Sequence, residues 1–212
     1  MAIEAWPSLR YKILRVPFFL EPDYDEKVDF VETNRERLVK KWGGRAGWEA
    51  QKARHDLKGR GERAGIPHFN LDRRASNTMK SHRLVQYVGK VYGLDLSEQL
   101  YDKLNVYHFV EGHALNDVDG LVRCAEEIGL DEKEIRGFIE DPAEPGRAEI
   151  ERAVKLCREL GIHSIPNFVV GGEFVVSGAS GPEDFLRVFK EVEERGEVGK
   201  PIFAGVLGVH ER

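Results

Sequence analysis

The chain has 212 residues, 41% of them hydrophobic, with 32 Lys and Arg against 37 Asp and Glu for a formal charge of −5. This suits one compact domain or a domain carrying a large insertion, and excludes collagen-like, low-complexity and broadly disordered chains. No apolar run approaches the roughly 20 residues that span a bilayer. The opening MAIEAWPSLRYKILRVPFFLEPDY lacks the basic start, apolar core and small-residue cleavage site of a secretory signal, so the expected compartment is the cytoplasm.

In chain order, LRYKILRVPFF alternates in the manner of a strand over Leu9–Leu20, with Pro17 marking an edge or an end. EKVDFVETNRERLVKKW places Val28, Val31, Leu38 and Trp42 at helical spacing and stops at Gly43-Gly44. A polar helix follows near Trp48–Leu57. NTMKSHRLVQYVGKVYG forms the next helix, capped by Ser76 or Asn77, with Leu84, Val88 and Val91 turned inward. Ser97 and Asp117 each open a helix, and Asp131 with Glu134 resembles a capping box for EKEIRGFIE. GRAEIERAVKLCRELG is the most regular helix. The stretch GIHSIPNFVVGGEFVVSGAS supplies two strands around Gly171-Gly172. Ser180 and Glu183 then fit the capping-box spacing for a closing helix, with Pro182 tolerated in its first turn. Apolar β runs at both ends of a long helical stretch need a sheet to join, so an α/β layer fits better than a bundle.

Charge is segregated. Val31–Lys90 holds 15 Lys and Arg against 6 Asp and Glu, and Val91–Glu151 holds 5 against 16. Such blocks read as two solvated faces of a helical subdomain. Trp42 and Trp48 among the basic residues offer a stacking surface for single-stranded nucleic acid, but Trp42 ends an apolar stripe and reads as core, so nucleic acid is not the expected partner.

Other motifs carry little. GRGERAG (Gly59–Gly65) lacks the buried strand that a dinucleotide loop must follow. HFVEGH (His108–His113) matches neither zincin spacing, and no GxSxG nucleophile elbow occurs, so no metal site and no hydrolase triad are expected. Cys124 and Cys157 lie 33 positions apart and form no CxxC. Cys157 shares an apolar stripe with Ile150, Ala153, Val154 and Leu160 and is expected to be buried and reduced. In HSIPNFVVGGEFVVSG, a proline at a strand mouth can leave neighbouring backbone groups open to an extended peptide, or simply begin a strand.

The combination GIHSIPNFVVGGEFVVSGAS…EDF resembles the C-terminal half of the DsbA-like thioredoxin-fold family. The branch it is most similar to contains FrnE-type oxidoreductases, with 2-hydroxychromene-2-carboxylate isomerases and kappa-class glutathione transferases as relatives. RVPFFLEPD, GRGERAGIPHFNLDRRASNTMKSHRLVQY and LYDKLNVYHFVEGHALNDVDGLVRCAEEIGLD fit the family in order, so the likeness runs from about Arg15 to Val192. It implies an α/β thioredoxin-like fold, incomplete at the N-terminus, with a core of residues 1–24 and 147–212 and a helical insertion of residues 25–146. It makes Pro166 the cis-proline, with Ser164 and Ile165 beside it facing a substrate groove, and Asn77, His82 and His113 polar candidates near that groove. The implied activity is thiol–disulfide oxidoreduction through a mixed disulfide.

The family's first strand delivers a CxxC, or a serine in the glutathione-dependent relatives, to a helix N-terminus where the thiol's pKa falls. Only MAIEAWPSL precedes the strand matched here, and Ser8 is not positioned to replace a nucleophile. This chain is therefore expected to be redox-inactive, with no catalytic residue identifiable and no cofactor. The alternatives are a glutathione-dependent isomerase- or transferase-like protein, and a non-catalytic module binding peptides or thiols. Unless the protein begins upstream of this sequence, the strand slot left open is expected to be filled by the β-capable tail PIFAGVLGVHE or by a second copy completing the sheet as a homodimer.

Overall fold

The computed structural model describes residues 9–66 and 68–209, so Ser8 lies outside the described residues. The chain divides into two compact units. The first takes the described residues up to Phe18, Gln86–Asp95, and those from Gly146 onward; the second takes Phe19–Val85 and Leu96–Pro145.

The second unit is helical. A short ladder joins β1 (Glu32–Thr33) to β2 (Arg74–Ala75). Helices α1 (Asn34–Lys41), α2 (Arg45–His55) and α3 (Leu57–Arg63) lie between them in sequence. Helix α1 begins six residues after Val28 because Thr33 and Glu36 form a reciprocal capping box. Val28 and Val31, expected on its inner stripe, are exposed instead. Gly59, Gly61 and the residues between belong to α3, so GRGERAG is largely helix. Trp48 is buried, with Arg35 and Lys52 over its ring at 5.4 and 5.5 Å, whereas Trp42 is half-buried and stacks on His55.

Helix α4 (Met79–Val91) starts where the Asn77 carboxamide oxygen accepts the Met79 N–H at 2.8 Å. Leu84 and Val88 are buried in it, but Val91 is exposed. Helix α5 (Leu94–Asn105) contains Ser97 rather than opening on it; the Ser97 hydroxyl donates to the Val85 carbonyl. A π-helical turn, Val106–Val110, carries the first part of HFVEGH. Helices α6 (Val118–Glu126) and α7 (Glu132–Glu140) follow, α7 capped by Asp131.

In the first unit, α8 (Arg147–Glu159) precedes a hairpin of β3 (Asn167–Val170) and β4 (Phe174–Ser177). Gly171 and Gly172 both have positive φ, as a tight hairpin turn requires, and Val170 pairs with Phe174 across it. Helix α9 (Pro182–Arg195) packs on β4, with Phe185 edge-on to Phe168. Its N-cap is Gly181, and the Ser180 hydroxyl bonds the Ser177 carbonyl instead of completing a capping box.

Two expectations about strands need correction. Residues 10–19 pair in no ladder among the described residues, so their β-capable alternation does not make a strand there. They are tied down by side chains: Gln86 donates to the Arg15 carbonyl at 2.6 Å, and Leu14 and Val16 pack on a cluster of Ala153, Cys157, Phe203, Leu207 and Val209. That cluster also absorbs the tail. Phe203–Val209 includes a short helix, α10 (Ala204–Leu207), rather than a strand. Burying Phe203, Leu207 and Val209 against one face of α8 needs a helical spacing of the apolar groups.

Candidate functional site

Helix α8 ends in a Schellman motif. Gly161, at φ +74°, donates to the Arg158 carbonyl, and Ile162 donates to the Cys157 carbonyl while packing on the cluster around Cys157. This sharp stop sends the chain outward, and His163, Ser164, Ile165 and Pro166 are all exposed, Ile165 at 50%. The Ile165–Pro166 peptide is cis.

The loop is held from both flanks. The Asn167 carboxamide donates to the Ser164 carbonyl at 2.5 Å, and its oxygen accepts the Ser177 hydroxyl at 2.6 Å. Beyond the proline, the Gly178 N–H donates to the Pro166 carbonyl at 2.9 Å. The N–H and C=O of Ile165 make no hydrogen bond to any other described residue. Beside this, β4 and α9 line an open groove that includes Ser177, Ser180, Asp184 and Arg187; Arg187 pairs with Asp184 within it.

The polar candidates Asn77, His82 and His113 belong to the other unit. Asn77 is buried, its amide donating to the Tyr24 carbonyl at 2.7 Å while its oxygen caps α4. His82 meets Phe19 edge-on at 5.0 Å. His113 stacks on Tyr107 at 4.4 Å and lies 3.6 Å from Glu111. Tyr107 donates to Asp117 at 2.6 Å, and burial with that carboxylate raises its pKa.

His108 has both ring nitrogens engaged. Arg73 Nε donates to its Nε2 at 3.2 Å, so Nδ1 carries the proton that bonds the His113 carbonyl at 2.8 Å. Burial and the Arg73 charge hold its pKa below the ordinary histidine value, which suits this neutral form. Arg73 itself is lowered to about 10 by burial and by the charge of Arg37. Among the described residues no group of three or more His, Cys, Asp or Glu could hold a metal ion, and no helix is long and apolar enough to cross a membrane.

Both cysteines are free and buried, Cys124 in α6 and Cys157 in α8. Burial pushes the Cys124 thiol up to about 11 and raises Cys157 as well. Neither has the exposed, electropositive surroundings that make a thiolate nucleophile.

Sequence reasoning singled out Ser164, Ile165 and Pro166 but missed Asn167 and Ser177. An Asn directly after the proline hints at a side chain reaching back along the loop. Ser177 gives no local signal, since its place opposite Asn167 follows only from the hairpin register.

The family model for the DSBA-like thioredoxin domain matches residues 35–190. The crystal structure of a "probable DsbA oxidoreductase" from Streptomyces coelicolor superimposes with a TM-score of 0.70 at 26% identity, over 86% of this chain and 74% of that one. No curated protein matches the chain. The fold is α/β and thioredoxin-like with a helical insertion, and the chain belongs to the family of DsbA-like thioredoxin domains.

Proposed function

We propose that this protein is a FrnE-type member of its family that binds a peptide or thiol ligand at Ser164, Ile165 and Pro166 and does not itself run dithiol exchange. The observation that carries the second half is the state of the two cysteines. A DsbA-type nucleophile needs an accessible thiol of lowered pKa, and here both thiols are buried with raised pKa. The first half is supported by the open main chain of Ile165, whose N–H and C=O can pair with an extended ligand. Free thiols also suit the cytoplasm.

Glutathione is the thiol ligand of the isomerase- and transferase-like alternative, in which the ligand brings the sulfur and the protein positions it. A second copy pairing with an edge of the β3–β4 sheet that is unpaired among the described residues is the expected macromolecular partner, which sedimentation would detect as a dimer.

Insulin reduction driven by dithiothreitol tests the redox half: the full chain should not accelerate it, and clear acceleration overturns that half. Calorimetry with reduced glutathione and with an unstructured cysteine-containing peptide tests the groove. Heat from glutathione alone selects the transferase-like reading, and heat from the peptide selects the binding module. Heat from neither removes the groove.

A further inference from the structure

We propose that Asn167 and Ser177 are positioning residues that hold the Ser164–Pro166 loop in its binding shape before any ligand arrives. The inference rests on the groove reading above but concerns residues outside it. Ser177, on β4, donates to the Asn167 carboxamide oxygen at 2.6 Å, and the Asn167 amide donates to the Ser164 carbonyl at 2.5 Å. Gly178, the next residue after Ser177, donates to the Pro166 carbonyl at 2.9 Å. The carbonyls on either side of Ile165 are thus consumed by the end of one strand, while both main-chain groups of Ile165 have no partner among the described residues.

The arrangement has a physical consequence. His163 to Pro166 are exposed and contribute nothing to the buried core, so packing does not fix them. Without side-chain ties, a ligand would have to order the loop on binding and lose affinity accordingly. The two side chains meet because Asn167 and Ser177 are direct cross-strand partners. The carboxamide is the suitable link: it donates on one side and accepts on the other, which a carboxylate cannot do.

The test compares Ser177→Ala, Ser177→Thr and Asn167→Asp in the full chain. The probes are reduced glutathione and the cysteine-containing peptide, and amide hydrogen exchange is read at Gly178, whose N–H bonds the Pro166 carbonyl. Ser177 is exposed and Asn167 half-buried, so all three variants should fold, which unchanged melting would verify. Ser177→Ala and Asn167→Asp should weaken binding about 5- to 10-fold, the size of one lost net hydrogen bond or slightly more. They should also speed exchange at the Gly178 amide, and Ser177→Thr, which keeps the hydroxyl, should restore both readouts. Unchanged exchange in Ser177→Ala, or equal loss in Ser177→Thr, overturns the proposal. If the unaltered chain binds neither probe, the groove reading falls; accelerated exchange in Ser177→Ala still supports the relay, and unchanged exchange removes it too.

Discussion

Two hydrogen-bonded constructions, one in each unit, use side chains to tie backbone carbonyls and reach opposite ends. In the helical unit, Arg83 of α4 is 2% exposed. Its Nε donates to Pro145 at 3.0 Å, Nη1 to Ile139 at 3.3 Å and Nη2 to Phe138 at 3.1 Å, with the guanidinium 5.2 Å from the Phe138 ring. Two of those carbonyls end α7, which would otherwise bury them unpaired beside the negative end of the helix dipole. In the sheet-bearing unit, Asn167 and Gly178 tie the carbonyls of Ser164 and Pro166 but leave the exposed Ile165 between them without a main-chain partner among the described residues. Full satisfaction out of water makes an anchor. Partial satisfaction at the surface leaves capacity for a ligand.

The contrast can be broken most directly at Arg83. Arg83→Met keeps much of the volume but orphans one buried and two half-buried acceptors, and should lower stability by about 2–4 kcal/mol in urea unfolding. A loss under about 1 kcal/mol would mean that water or relaxation replaces the guanidinium. Gly120→Ala should act next most strongly. A Cβ there would stand 1.8 Å from the Tyr107 hydroxyl, so the Tyr107–Asp117 bond must shift. A cost of about 1–3 kcal/mol is expected in thermal melts.

His108 tests the same principle by pH. Its folded pKa is lowered, so the unfolded chain binds the proton more readily. Stability should therefore be whole above the ordinary value of 6.5 and fall as pH drops through the folded value. His108→Gln should flatten that part of the profile; an identical acid slope would show that other groups dominate it. The smallest effect on stability is expected at the open loop. Ile165→Asp should change stability by less than about 0.5 kcal/mol, as exposed substitutions do, yet weaken calorimetric binding of whichever probe the unaltered chain takes. A large stability loss would place Ile165 with the anchors instead.

Legibility in the sequence followed locality. The buried stripe Ile150, Ala153 and Cys157 of α8, the Gly171-Gly172 turn, the span of α9 and the caps at Asn77 and Asp131 were readable because neighbours within a few positions set them, whereas Leu160, expected on that stripe, ends the helix and is exposed. Residues 10–19 and the Phe203–Val209 tail were misread as strands, since β-capable composition becomes a strand only where another backbone lies alongside. Of the candidate site, Ser164, Ile165 and Pro166 stood out by the proline and by family likeness, while Ser177 depended on register.

The sequence by itself determined the positions of most helices and the lack of a CxxC pair among these 212 residues, because periodicity, capping and cysteine spacing are properties of short stretches, while the α/β thioredoxin-like class was implied by family resemblance. Tertiary structure alone decided that Arg83 closes α7, that both thiols sit out of water, and that Asn167 and Ser177 bracket an open Ile165. Each of those facts joins groups distant in the chain or measures their access to water, which no local pattern encodes.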